Sequence, residues 1–302
     1  MGETMNQTTS YLIKLIDEQQ QIRIYLADTR DVVQEAASRH ECSATAAAAL
    51  GRTLTAACMI GADLKAEEDL VTLKIKGTGP AGEIVVTAAF GGSVRGYILN
   101  PQADLPSKYP GKLDVGGLVG HEGTLEIIRD MGMEHPFSGR VELVSGEIAE
   151  DLAQYFYQSE QIPSLISLGV LVNPDLSIQS AEGLFVQAMP GAEDALLQKM
   201  EEQIQAMGPI SSWKEKYGSL EEQIKKMMGG IKYDIISQMP LQFQCNCSHE
   251  RLRKILSRLD GNDIRDLLEE QKEIEVVCHF CGEKYHFTPD ELIPDTKEKT
   301  CE

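Results

Sequence analysis

The sequence predicts an α+β fold whose core is a mixed α/β domain with an antiparallel sheet, and three observations carry that prediction. A strand-like run is followed at once by two helical stretches, three β-rich runs are joined by tight glycine turns, and a later set of strands is interrupted by one amphipathic helix. In chain order, QIRIYLAD (21–28) reads as a strand, and Thr29 and Ser43 are N-cap candidates for the two helices that follow. VTLKIK, EIVVTAAF and SVRGYIL then fall within residues 70–99, separated by KGTGPAG and by Gly91-Gly92, which is the pattern of an antiparallel meander. Further strands are expected at 124–129, 140–144, 165–172 and 177–187, with the helix GEIAEDLAQYFYQ between the second and third. This core domain spans residues 1–190.

After Met189-Pro190 the texture changes to helix formers, with Leu196, Leu197, Met200, Ile204 and Met207 at helical spacing before Gly208-Pro209. A second short helix carries Leu220, Ile224, Met227 and Met228 and stops at Gly229-Gly230. Six of the eleven methionines lie between Met189 and Met239, so residues 191–242 are read as a Met-rich helical linker. Flexible, polarizable Met suits a surface that meets varied apolar partners, but ordinary helix packing explains the same spacing. From residue 243 to 302 the chain is a small cysteine module. Ser248 caps a helix bearing Leu252, Ile255, Leu256 and Leu259, and Asp260-Gly261-Asn262 turns into a second helix through Leu267 and Leu268. EIEVVCHFCGEKYHF reads as a β-hairpin, and Thr288-Pro289-Asp290-Glu291 as a capping box that opens a final short helix.

With 28 basic against 47 acidic residues the net charge is −19, which argues against a nucleic-acid partner. The module itself, from Cys245 onward, holds nine Lys plus Arg against fourteen Asp plus Glu, a net of −5 that disfavours a nucleic-acid-binding zinc ribbon. No secretory signal opens the chain, and its most apolar stretch, 44–64, is broken by Arg52, so neither export nor a membrane anchor is expected. Asn6 stands where a myristoylation site needs Ser or Thr. The expected location is cytoplasmic.

Seven cysteines in such a compartment do not form a disulfide scaffold. Four of them, Cys245, Cys247, Cys278 and Cys281, form C-x-C and C-x-x-C pairs about thirty residues apart, a set of soft ligands able to converge tetrahedrally on one Zn²⁺. His249, His279 and His286 lie close enough in sequence to substitute, but four cysteines complete the coordination. A module this small needs the metal to fold, since structural zinc contributes on the order of 10–16 kcal/mol. Two roles stay open at this point. A passive staple is the commoner case for four-cysteine sites. Yet a disulfide between residues two apart is strained and readily reduced, and bound thiolates are what oxidants attack, so a reversible switch is the alternative.

Motifs that resemble catalytic ones fail on context. Gly77-x-Gly79-x-x-Gly82 is followed by a strand rather than a helix and is interrupted by Pro80, so it is a hairpin turn and not a dinucleotide loop. Glu147, Glu150 and Asp151 are read as complementing a helix dipole. His121-Glu122 lacks a following x-x-His, there is no G-x-S-x-G, and His40 and His135 have no partners visible in the sequence. No enzyme is expected. The competing reading is a thiol–disulfide oxidoreductase using Cys278 and Cys281, against which stands the missing strand-to-helix context.

RIYLADTRDVVQEAASRH, AALGRTLTAA, KGTGPAGEI, VRGYILNP, GKLDVGGLVG, SGEIAEDLAQYF, SEQIPSLISLGVLVN and the terminal CNC…CHFC together resemble the thirty-three-kilodalton heat-shock protein family of redox-regulated holdase chaperones. The matching stretches run in order across most of the chain. The resemblance implies that Cys245, Cys247, Cys278 and Cys281 bind one zinc in the reduced, inactive state. It further implies that oxidation forms the disulfides Cys245–Cys247 and Cys278–Cys281, releases zinc, unfolds the module and loosens the linker. The active form would then be a homodimer that binds unfolding client proteins without ATP under oxidative stress. Cys42, Cys58 and Cys301 lie outside the motif and receive no role.

Overall fold

The computed structural model describes residues 10–109, 111–256 and 273–292. The chain divides into two compact units, Met1–Gln244 and Cys245–Glu302.

The first unit contains two sheets. The five-stranded sheet has the order β10-β1-β2-β9-β8, built from β1 (Tyr11–Asp17), β2 (Ile22–Asp28), β8 (Ser164–Val172), β9 (Ile178–Ala188) and β10 (Tyr233–Pro240). The six-stranded sheet has the order β11-β5-β4-β3-β6-β7, from β3 (Leu70–Gly77), β4 (Glu83–Ala89), β5 (Ser93–Ile98), β6 (Gly123–Asp130), β7 (Phe137–Glu142) and β11 (Gln242–Phe243). Every pairing is antiparallel except β11 with β5. The meander of β3, β4 and β5 is the one the glycine turns predict.

Helices α1 (Arg30–Arg39) and α2 (Ala44–Gly61) follow β2, and α2 packs against strands of both sheets. It is apolar and long enough to cross a membrane by length and composition, but 83% of it is buried in the fold, which marks it as a core helix. Small residues let it approach closely: a Cβ on Gly183 of β9 would lie 2.5 Å from Thr55 Cγ2. Arg52, the one charge in its middle, is neutralised by Glu147 at 2.8 Å. Ser43 caps α2 by accepting from the Ala46 amide, as its position suggests. Thr29 does not cap α1; its hydroxyl turns inward to Thr55 and to the Ala181 carbonyl, because a buried hydroxyl takes the partners the core offers.

The remaining helices of this unit are α3 (Val115–Val119), α4 (Ala149–Tyr155), α5 (Asp194–Met207), α6 (Trp213–Tyr217) and α7 (Leu220–Met228). A single π turn, Phe156–Glu160, continues α4. Because side chains alternate across a strand, the five-stranded sheet buries both faces. Leu12, Tyr25 and Ala27 join the core around α1 and α2, while Ile13, Leu15, Ile22, Ile24 and Leu26 join a second cluster with residues of α5–α7. Met200, Met207, Ile224, Met227 and Met228 are buried there, and so is Trp213, the only tryptophan, whose ring N–H donates to the Gly208 carbonyl. Fully burying each such side chain contributes about 1.5–3 kcal/mol. One polar contact keys this layer: Glu182 of β9, fully buried, accepts from the Gln223 amide at 2.8 Å and from the Lys214 backbone N–H at 3.2 Å. Lys214 Nζ meanwhile lies 2.5 Å from Asp28, the cross-strand neighbour of Glu182.

The structure departs from the sequence expectations in several places. β1, α3, α6, β10 and β11 are additional elements, and residues 233–240, expected within a helical linker, form a strand. The strand expected at 140–144 starts earlier, at Phe137, where pairing with β6 begins. Glu147 precedes α4 and pairs with Arg52 rather than complementing a dipole. Asp151 accepts from the backbone N–H groups of Val144, Ser145, Gly146 and Ile148.

The second unit contains α8 (His249–Leu256), the hairpin β12 (Ile274–Val277) and β13 (Lys284–Phe287), and α9 (Pro289–Leu292). Its described core is small, with Phe287 and Leu292 buried beside Leu252, Leu256, Ile274, Val276 and Tyr285. Ser248 accepts from the Arg251 amide at the start of α8, and Thr288 with Glu291 forms the expected capping contacts. Leu259, Leu267 and Leu268 lie outside the described residues.

Candidate metal centre

Two short segments of backbone bring the cysteines together. Cys245 and Cys247 occupy the non-helical stretch before α8, and Cys278 and Cys281 form the tip of the β12–β13 hairpin. There the Cys281 and Gly282 amides donate to the Cys278 carbonyl at 3.2 and 2.8 Å, folding the chain into a tight turn that Gly282, at φ +71°, completes without Cβ strain. The result is one cluster: the four Sγ atoms all lie within 4.8 Å of one another. Cys245 and Cys278 are 3.8 Å apart, and Cys247 and Cys281 3.4 Å. Four sulfurs held tetrahedrally at a Zn–S distance of about 2.3 Å would be separated by about 3.8 Å, so number, donor type and spacing all fit the ion. Disulfides need about 2.05 Å, so all four are free thiols here.

The thiols differ in how easily they ionise. Burial pushes Cys245 up to about 11 and also raises Cys281. Burial works against Cys247 too, but hydrogen bonds from Tyr285, at 3.2 Å, and from the neighbouring thiols outweigh it and hold Cys247 below its ordinary value. A divalent ion would complete what those bonds begin, drawing all four to the thiolate.

Around the cluster, His249 stacks on Phe287 with ring centroids 4.3 Å apart, and its Nε2 lies 3.1 Å from the His286 carbonyl. His286 faces Glu273 and Glu275. Among the described residues none of His249, His279 and His286 joins the four-thiol group. Sequence reasoning missed Tyr285, although an aromatic hydroxyl in the strand leaving a C-x-x-C turn is a recognisable candidate for contact with the sulfurs.

The other sequence candidates separate from this centre. Cys42 and Cys58 are buried in the first unit, and burial pushes both thiols up to about 12, a range in which they are poor nucleophiles. Cys301 lies outside the described residues. The glycine loop 77–82 directs its amides at protein: Gly79 and Ala81 donate to the carbonyls of Val119 and Leu118, and a Cβ on Gly77 would lie 2.0 Å from the Val119 oxygen. That loop holds α3, not a phosphate. His40 and His121 contact the carbonyls of Gly96 and Ser145. Cys278 and Cys281 sit in a hairpin tip instead of the strand-to-helix turn of thioredoxin-like redox motifs, which leaves the oxidoreductase reading without support.

A family model described as Hsp33 protein matches residues 10–288. The chain belongs to the Hsp33 family. It is 44% identical over 282 residues to the 33 kDa chaperonin of Oceanobacillus iheyensis, spanning 93% of this chain and 97% of that one. The 33 kDa chaperonin of Bacillus subtilis strain 168 is likewise 44% identical, over 93% of this chain and 96% of its own. That of Staphylococcus aureus strain Newman is 42% identical over 285 residues, 94% of this chain and 97% of its own. Among solved structures, the Hsp33 homologue of Thermotoga maritima superposes with a TM-score of 0.87 at 35% identity, covering 94% of this chain and 97% of that one. The Hsp33 match begins at β1 and ends just past β13, so it takes in both sheets and all four clustered cysteines.

Proposed function

We propose that this protein is a holdase chaperone that works without ATP and is gated by one zinc ion on Cys245, Cys247, Cys278 and Cys281. The observation that carries the reading is the cluster of four thiols in a unit whose described core buries little beyond Phe287 and Leu292. So small a core depends on its metal. In the reduced state the thiolates hold the ion and the unit stays folded.

Under peroxide stress, one thiolate of a pair attacks a peroxide oxygen, giving a sulfenic acid and, once protonated, water. The neighbouring thiol displaces the sulfenic hydroxyl as a second water and forms the disulfide. Two pairs therefore consume two peroxides, form Cys245–Cys247 and Cys278–Cys281, yield four waters and leave the ion without ligands. The unit then unfolds, and the Met-rich linker, residues 191–242, loosens from the core domain, residues 1–190. Both surfaces that part company there are apolar: Ile13, Leu15, Ile22, Ile24 and Leu26 on the sheet, and the Met, Ile and Leu side chains of α5–α7 over it. These are surfaces of the kind unfolding clients bind. The oxidised form acts as a homodimer in the cytoplasm, where reducing conditions keep the resting protein metal-bound.

The test follows zinc release, free thiols and aggregation of a thermally unfolding client as peroxide is added during mild warming. Release of about one zinc as four thiols disappear, with client aggregation then suppressed, is expected. Oxidised, zinc-free protein that fails to suppress aggregation overturns the chaperone reading. Retention of zinc while Cys42, Cys58 or Cys301 oxidise makes the metal a staple.

A further inference from the structure

Tyr285 lies opposite Val276 in the hairpin, and its ring packs in the small core beside Leu252, Leu256 and Phe287. Its hydroxyl does not end in solvent. It reaches Cys247 Sγ at 3.2 Å, and among the described residues this is the side-chain hydroxyl that touches the cluster. A sulfur that ligates a metal does so as the thiolate and has only lone pairs to offer, so in this 3.2 Å contact the phenol O–H is the group that donates. Four thiolates around one divalent cation carry a net charge of about −2, and donors aimed at the sulfurs from outside spread that charge. The contact thereby singles out one ligand of the four.

Resting on the metal reading above, we propose that Tyr285 is a positioning residue of the metal centre: its hydroxyl donates to the Cys247 sulfur, fixes that side chain as a thiolate ligand and slows loss of the ion. The hairpin that supplies Cys278 and Cys281 thereby also orients a ligand from the other cysteine pair. This ties the two halves of the site together before any ion is bound.

The test uses the full chain loaded with Zn²⁺ or Co²⁺, as wild type, Tyr285→Phe and Val276→Ala. The Phe variant keeps the ring and removes only the hydroxyl; the Ala variant trims the same core and leaves the hydroxyl in place. Two quantities are read: the rate of Zn²⁺ transfer to an excess of a colorimetric chelator, and the position of the sulfur-to-Co²⁺ charge-transfer band, which reports loaded protein alone. Y285F is expected to release Zn²⁺ about tenfold faster and to shift the band to lower energy, since partners outside the ligand set typically change metal affinity by about 10–100-fold. V276A is expected to leave the band in place. Identical rates and bands for wild type and Y285F, or the same band shift in V276A, overturn the proposal. A wild type that takes up neither metal overturns the metal reading itself, a result distinct from either.

Discussion

Asp151 holds a backbone conformation that its neighbours would otherwise abandon. Ile148 sits at φ +71°, a region that a β-branched residue rarely enters, and four amides around it converge on the one buried carboxylate. Asp151→Ala leaves those amides without acceptors, each buried orphan costing about 1–3 kcal/mol. A loss of roughly 3 kcal/mol or more in urea unfolding is expected, whereas a change under about 1 kcal/mol would show that water replaces the carboxylate. At the metal centre the corresponding single change is Cys278→Ser, which removes one of four soft donors. Zinc content is expected to fall from about one per chain to a small fraction in elemental analysis; full occupancy would show that three thiolates suffice. The four cysteines were legible because chemistry fixes their type and their spacing is local. Asp151 was legible as an acid in the first turn of α4, but its further backbone partners leave no mark on side-chain patterns, and Tyr285 was missed because its contact crosses 38 residues of chain.

The Met-rich helices show how far periodicity reaches. Spacing alone located α5 and α7 and their stops at Gly208 and Gly229, since an amphipathic helix writes its buried face into the sequence. It did not locate β10, most of whose residues are exposed; that strand exists through pairing with β1 across more than two hundred residues. β1 escaped for the opposite reason, because burial on both faces blurs its alternation. Within the helical layer, Ile224 is fully buried, and Ile224→Ala should cost about 2–5 kcal/mol, read through Trp213 fluorescence in urea. The polar key beneath it makes docking depend on pH. Burial first, and the adjacent Asp28 charge, lift Glu182 to about 7, against the opposing bonds from Gln223 and Lys214. Docked protein thus holds this proton more tightly than released protein does. The contribution of Glu182 to docking is full below about pH 4.5 and fades as pH rises through about 7. The Trp213 transition midpoint should fall over that window in wild type and flatten in Glu182→Gln; equal slopes in both would exclude Glu182 as the titrating group.

At the scale of the whole molecule the two units are expected to answer different stresses. The first has a large two-sheet core, and Trp213 is buried within its second cluster; among the described residues the second has four thiols and a small cluster around Phe287 and Leu292. Chelation of zinc in the cold is therefore expected to abolish the structure of Cys245–Glu302 in circular dichroism while Trp213 emission stays blue. Oxidation with warming should then shift that emission to the red. A red shift on chelation alone would show that the helices of the first unit have no stability of their own. Chain order adds one more consequence. The Met-rich helices lie between β9 and β10, both strands of the sheet they cover, and are not a terminal arm. As long as β10 keeps its pairing with β1, helices lifted from the sheet remain a loop pinned at both ends, and closing such a loop costs entropy that grows only slowly with length. The detached segment stays at an effective concentration on the order of millimolar above its own binding surface. A client bound there, as in the proposed function, would compete at every moment with an intramolecular rival, so mass action alone would favour handover once the client weakened its grip.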